Sequence, residues 1–290
     1  SAVNGGGINN RATNAKLTYV SFFGNTAHER GGGIYNYQGS PSFTNITVNG
    51  NSAGTLGGGI FSSGSLPQLN DVLISENSAG EFGGGLYNFS SHASLARITI
   101  SENTAGQRGG GIYNNLSNPT LTNITISSNS APLGGGMYNS ENSNPIINHV
   151  TIADNSASEG GGIFNSYSNP NISNSIVWGN KADSITGSSA VVSYSIIQGG
   201  YPGTGIIDKD PLLGLLDDSG DLPVYPLIPE SPAVDRGNPD LGTCPAIDQR
   251  GITRPQDGDE DGVWICDIGG YEYFNNTGLT NIIFLPLIWK

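Results

Sequence analysis

Three consecutive glycines recur along this chain at a nearly constant interval of 26 residues, with a single interval of 25. The triplets begin at Gly5, Gly31, Gly57, Gly83, Gly109, Gly134 and Gly160. A second pattern, Asn followed by Ser, Thr or Lys and then Ala, recurs in phase with the triplets. Repeats of this length are typical of solenoids, in which each repeat forms one rung of a stack. The repeat therefore predicts a solenoid.

Apolar residues occupy matching positions in successive repeats, so stacking would align them in columns. One such column contains Leu17, Phe43, Leu69, Leu95, Leu121, Ile147 and Ile172. The apolar residues are often β-branched and alternate with polar ones, as expected of strands with one buried face. No segment shows the period of a helix, which separates this repeat from the leucine-rich kind. The predicted fold is all-β: a single-stranded, right-handed parallel β-helix of about seven to eight rungs with an irregular C-terminal cap.

Two further columns, one of asparagines and one of aromatic residues, each predict a structural feature. Stacked asparagines can bond to one another and tolerate the backbone of a bend, which predicts an amide ladder with Ser62 as its one substitute. The ladder residues are Asn36, Asn88, Asn114, Asn139 and Asn165. An aromatic column alternates with a buried aliphatic one, so its rings are expected to face outward, where a glycan can stack on them. This column contains Tyr35, Phe61, Tyr87, Tyr113, Tyr138 and Phe164.

The repeat weakens after Asn180, and a last rung is predicted from Val191 to Ile197. The expected organisation is a parallel β-helix over residues 1–198, a loop-rich cap over 199–278 and an apolar tail strand over 279–290. A chain cut at a chosen boundary would also begin without Met, but the start at Ser1 fits an exported protein after signal-peptide removal. In such a protein Cys244 and Cys266 are expected to form a disulfide, which stabilises the fold by about 3 kcal/mol.

Charge and the length of apolar runs exclude two kinds of binding partner. The net charge is −13 and basic residues form no cluster, which argues against binding to nucleic acid. The longest apolar run, residues 282–289, is too short for a membrane helix, so no membrane span is expected. The expected location is extracellular or at the cell surface.

Two sets of motifs resemble known families. The repeats GGGIYN and NITISSNSA resemble those of polymorphic outer-membrane and autotransporter-type β-helix proteins. The segments SPAVDRGNP, DQRGITRPQ and CDIGGYE resemble the C-terminal region of choice-of-anchor Q domain proteins, although Gly270 stands where that family commonly has Ala. These resemblances imply a surface-associated β-helix and imply little about activity. In the same region, Arg250 and Arg254 lie among four acidic residues, so a buried or half-buried ion-pair network that fixes the cap is expected, with solvated loop charges as the alternative. The acidic residues are Asp235, Asp248, Asp267 and Glu272.

One acidic loop is a candidate metal site. Asp257, Asp259 and Asp261 alternate as the first ligands of a calcium loop do, but Ile268 stands where an EF-hand needs Glu. The sequence leaves open a looser calcium site or a solvated acidic turn. No other cofactor is expected.

Catalytic residues are weakly indicated. Glu76 and Glu102 occupy the same position in adjacent rungs, about 5 Å apart, which suits a retaining glycosidase. No basic column accompanies them, so catalysis is not expected. The three histidines, His28, His92 and His149, fall in different columns and are expected at the surface.

An apolar tail suggests assembly, because such a strand would aggregate if it were left free. Its residues are Ile282, Ile283, Phe284, Leu285, Leu287, Ile288 and Trp289. The leading hypothesis is a structural surface protein that polymerises head to tail, the tail of one copy covering the first rung of the next. Packing of the tail on its own chain is nearly as well supported. The alternatives in function are a monomeric adhesin that binds surface glycans and a polysaccharide lyase or glycoside hydrolase.

Overall fold

The computed structural model describes residues 2–275, and its regular structure is almost entirely β. Parallel strands stack in three sheets around a shared apolar core. The one helical element within this range is a single 3-10 turn, Leu241–Thr243. The predicted all-β parallel β-solenoid is confirmed.

The largest sheet has twelve strands and carries the longest strands of the solenoid. From the first rung to the last, its strands are Lys16–Thr18, Ser21–Phe23, Ser42–Asn49, Gln68–Ser75, Ser94–Ser101, Thr120–Ser127, Ile146–Ala153, Asn171–Ser173, Ile176–Trp178, Val191–Ser193, Ile196–Ile197 and Gly203–Thr204. The last of these pairs with Val191–Ser193, so the stack continues past the boundary predicted at residue 198.

Two smaller sheets complete the first five rungs, and beyond Ala105 the smallest sheet continues only as isolated bridges. The eight-stranded sheet consists of Ile8–Arg11, Ile34–Tyr37, Ile60–Ser63, Leu86–Phe89, Ile112–Asn115, Met137–Ser140, Ile163–Ser166 and Ile185–Gly187. The five-stranded sheet consists of Ala2–Asn4, Thr26–Arg30, Ser52–Ala53, Ser78–Ala79 and Thr104–Ala105. The chain passes through the sheets in the same order in each repeat, so equivalent residues lie above one another.

The register of the strands is that of the sequence repeat. Leu69 pairs with Leu95, and Ile74 pairs with Ile100. The aliphatic columns face the core and are almost fully buried from the second rung onward. Because every rung contributes the same side chains at the same height, the core is one continuous apolar column.

Each long strand is interrupted by one residue with left-handed backbone geometry. In the third rung, Asn70 pairs with Ala96 and Val72 with Ile98 of the fourth, but Asp71 between them has φ of 56° and leaves the ladder. Non-glycine residues seldom adopt this conformation. We call the set formed by these residues in successive rungs the left-handed column. Its members are Tyr19, Asn45, Asp71, Arg97, Asn123, His149, Asn174 and Tyr194.

The glycine triplets mark a place where rungs approach closely. Gly83 has φ of 67°, which an L side chain adopts with strain. A Cβ on Gly84 would lie 2.5 Å from the carbonyl oxygen of Gly110 in the next rung. The triplet is therefore required by backbone contact between rungs.

Two asparagine ladders run the length of the solenoid. In the first, buried amides bond from rung to rung, as between Asn88 and Asn114 at 2.9 Å. In the second, formed by the Asn of the Asn-Ser-Ala pattern, each Oδ1 also accepts the backbone N–H of the Asn in the preceding rung, as Asn103 does from Asn77. These ladders satisfy polar groups inside the turns, which would otherwise be costly to bury.

The first ladder has one break, at Ser62. The Ser62 hydroxyl accepts a hydrogen bond from Asn36 but offers no amide to Asn88, and Oδ1 of Asn88 is buried without a partner. We predict that Ser62→Asn completes the ladder and raises the free energy of unfolding by about 1 kcal/mol. Chemical denaturation of both proteins measures the change.

The matched control is Asn114→Ser, which introduces the same break one rung beyond Asn88. It should lower the free energy of unfolding by about 1–3 kcal/mol, the usual cost of an orphaned buried polar group. A Ser62→Asn variant less stable than the native chain would contradict this explanation.

Candidate ligand-binding groove

The chain beyond the solenoid folds back over the twelve-stranded sheet and covers part of the left-handed column. The Asn123 amide donates to the backbone oxygen of Ile247 at 2.7 Å, and Asn174 Oδ1 accepts from the backbone of Asn238 at 2.7 Å. The left-handed column is therefore the surface on which the cap sits.

One buried glutamine, Gln249, joins the cap to the sheet. Its amide nitrogen donates to the Thr99 hydroxyl and to the backbone oxygen of Ile98, and its Oε1 accepts from Thr125. The bonds span two rungs, and Gln249 is only 2% exposed. This contact fixes the height of the cap along the solenoid.

Up to residue 275 the cap does not extend over the first rungs, and a groove of about 750 Å³ lies between them and the edge of the cap. Its floor comes from the sheet and its wall from two cap segments, residues 220–222 and 247–251. The floor residues are Tyr19, Ser21, Asn45, Ile46, Thr47, Asp71, Leu73 and Arg97. Four members of the left-handed column thus line an open groove.

An ion pair is fixed in the floor of the groove. The Arg97 guanidinium donates to both oxygens of Asp71, at 2.6 and 2.7 Å, and the Asn70 amide donates to Asp71 at 2.9 Å. The hydrogen bond with Asp71 raises the pKa of Arg97 above its usual value. About a quarter of each charged side chain is exposed, so both groups remain available to a ligand.

Behind the groove wall, the cap contains the predicted network of charges. Arg250 pairs with Asp248 at 2.6 Å, and its guanidinium also lies 3.3 Å from the ring centroid of Tyr271. Arg254 is fully buried and lies 3.4 Å from Glu272. Burial raises the pKa of Glu272 to about 7, although the charge of Arg254 acts in the opposite direction. The network gives the groove a rigid wall.

His149 lies inside this network, so the expectation that all three histidines are at the surface is wrong for it. His28 and His92 are exposed, whereas His149 is fully buried against Arg254. Because Arg254 keeps its protons, Nδ1 of His149 accepts from Nη1 of Arg254 at 2.5 Å and the imidazole is neutral. Burial and the neighbouring guanidinium hold the pKa of His149 well below its usual range.

The predicted outward exposure of the aromatic column is also wrong. The rings face away from the main core and stack at centroid distances of 4.9–5.3 Å. However, Leu56, Phe82 and Leu133 from the turns pack over them, and Tyr35 to Tyr138 are 2–6% exposed. Phe164 is half-buried. This column contributes to stability and offers no face on which a glycan can stack.

The remaining candidate residues fall in separate places. Glu76 and Glu102 are exposed at the end of their strands, and neither forms an ion pair within residues 2–275. Cys244 and Cys266 form a disulfide within the cap. The structure brings Asp257 and Asp259 together with Asp235, and Asp261 lies outside that cluster. The apolar tail residues predicted for assembly, Ile282 to Trp289, lie outside the described residues.

Comparison with known proteins gives one partial match. The model of the Chlamydia polymorphic membrane protein repeat, from a family of surface or outer-membrane proteins, matches residues 19–37 and 97–115. No curated protein and no solved structure matches the chain. Within the described residues, no helix is long and apolar enough to cross a membrane. The chain thus resembles surface-protein repeats over a small part of its length.

Burial of His149 predicts that the stability of the folded chain depends on pH. Unfolded His149 takes up a proton near pH 6.5, whereas folded His149 does not, because its pKa is lowered. Below about pH 6.5 this difference favours the unfolded chain by up to ~1.4 kcal/mol per pH unit. In His149→Gln the amide oxygen still accepts from Arg254, but the titration is removed. We predict that the native chain loses stability relative to the variant from pH 7.5 to pH 5.

Urea denaturation at several pH values tests this prediction. The raised pKa of Glu272 has the opposite effect, since it adds stability at low pH that is lost as the pH rises through about 7. That contribution is common to both proteins and cancels in the difference between them. A difference in stability that stays constant across the range would contradict a buried neutral His149.

Proposed function

We propose that this chain is a rigid solenoid displayed at the cell surface that binds an uncharged glycan in the groove between its first rungs and its cap. The observation that carries this proposal is the fixed Asp71–Arg97 pair in the floor of an open groove. The match to a surface-protein repeat supports the location. We therefore assign glycan binding to the groove and not to the aromatic column, whose rings are mostly buried.

The chemistry of the groove suits a polyhydroxylated ligand. The carboxylates of Asp71 and Asp221 can accept hydrogen bonds from the hydroxyl groups of a sugar. The Arg97 guanidinium can donate hydrogen bonds to the oxygens of the same hydroxyl groups. Tyr19 lies at the groove and is 82% exposed, so its ring is free to pack against a sugar face.

Charge argues against an anionic ligand. Asp71 and Arg97 neutralise each other in the groove floor, and the whole chain carries a net charge of −13. A polyanion would be repelled by the field of the protein as it approached. We therefore infer a neutral glycan.

A neutral-glycan array followed by titration calorimetry of the strongest ligand tests the proposal. We predict that the double variant Asp71→Asn/Arg97→Gln binds at least about tenfold more weakly, a loss of about 1.4 kcal/mol. Changing both partners avoids leaving one charge unpaired, and a thermal melt verifies that the variant is folded.

Two control variants lie outside the groove. Tyr87→Phe keeps the buried stack intact, since Phe61 and Phe164 occupy the same column. Glu102→Gln removes an exposed charge from a strand end. Both should bind as the native chain does. Failure of every neutral glycan to bind, or unchanged binding by the double variant, would contradict the proposal, and release of shortened sugars would favour a hydrolase or lyase instead.

A further inference from the structure

The acidic loop of the cap is built around a residue that its own sequence motif does not contain. One carboxylate oxygen from each of Asp235, Asp257 and Asp259 lies within 4.8 Å of the other two. Asp235 is distant in sequence and 3% exposed, whereas Asp257 is half-buried and Asp259 is exposed. The cluster therefore has a buried base and an open side.

The buried carboxylate of Asp235 is incompletely satisfied. Its Oδ2 accepts from the backbone of Asp259 at 2.8 Å, but its Oδ1 is buried without a hydrogen-bond partner. A buried carboxylate oxygen without a partner is costly and needs an explanation. Burial and the charges of Asp259 and Asp257 raise the pKa of Asp235 to about 6.

The nearest cation does not resolve this excess of negative charge. Arg236 lies 3.5 Å from Asp259, but its side chain is 55% exposed and its Nη1 also donates to the backbone oxygen of Asp235. Exposed ion pairs contribute little. Among residues 2–275, these three carboxylates thus have one solvent-screened guanidinium within ion-pair distance, and the orphaned Oδ1 of Asp235 is available to a bound cation.

We propose that Asp235, Asp257 and Asp259 bind a calcium ion. Calcium takes six to eight oxygen ligands in flexible geometry, so three carboxylates, nearby backbone carbonyls and water would suit it. Magnesium demands a tighter octahedron and gives up its water reluctantly. Asp261 is not a ligand in this arrangement, because its carboxylate lies outside the cluster and accepts from the backbone of Val263. Its backbone N–H donates to Asp257 and Asp259 and positions the loop.

Binding of the ion would also strengthen the cap. The backbone N–H of Asp235 donates to Asp267 at 2.8 Å, and the backbone oxygen of Asp267 accepts from Arg254. A cation held by Asp235 and the loop of Asp257 and Asp259 would therefore join the exposed loop to the segment that contacts His149.

Titration calorimetry with calcium chloride on the calcium-stripped full chain tests the site. We predict binding of one ion with a dissociation constant of about 10⁻⁴–10⁻³ M, as in extracellular calcium modules, and weaker binding of magnesium. Calcium should also raise the melting temperature, since it binds the folded chain. Asp257→Asn and Asp259→Asn should each weaken binding at least about tenfold, because each removes a charged ligand.

The matched control is Asp261→Asn, which removes one charge from the same loop and leaves all three ligands in place. Its dissociation constant for calcium should lie within about threefold of that of the native chain, as expected for a charge outside the ligand set. No binding up to 10 mM calcium, or equal losses in Asp257→Asn, Asp259→Asn and Asp261→Asn, would overturn the site. Since Asp257 and Asp259 are not buried, neither substitution should unfold the chain, and a melt without calcium verifies this.

Discussion

In-register stacking of equivalent residues is the constraint on which the rest of this molecule depends. Backbone hydrogen bonds between parallel strands fix the spacing of the rungs, and the two asparagine ladders fix their alignment at the turns. Because these amides bond to one another inside the turns, a shift of register by one residue would leave many buried polar groups unpaired. The regular core, the aromatic stack and the left-handed column all follow from this repetition.

The left-handed column shows how a repeat provides a functional surface. Each long strand turns one residue out of the ladder at the same height, and stacking arranges these residues in a row. From Asn123 onward the row fastens the cap, and before that point it forms the floor of the groove. The left-handed residue of each long strand therefore serves one of two purposes, holding the cap or lining the groove. The residue type at each rung decides which of the two it serves.

The sequence predicted the solenoid, its period and its core because these depend on local spacing. The left-handed column was missed, although a signal for it was present: Phe43 and Ile46 both face the core but are three residues apart, which a regular strand does not allow. Exposure of the aromatic column was predicted wrongly because alternation shows which way a ring points and does not show what covers it. The cap contacts could not be predicted, since Gln249 bonds to Ile98 across 151 residues and no periodicity marks that pair.

A distance measurement between two exposed rung positions tests the stacking most directly. Lys16 and Thr120 are exposed residues joined through successive strand pairs and lie four rungs apart. Spin labels at these positions should give a narrow distance distribution by pulsed electron resonance, with a backbone separation of about 19 Å at ~4.8 Å per rung. A broad distribution, or one centred beyond about 30 Å, would contradict a stack of rungs with a 26-residue period.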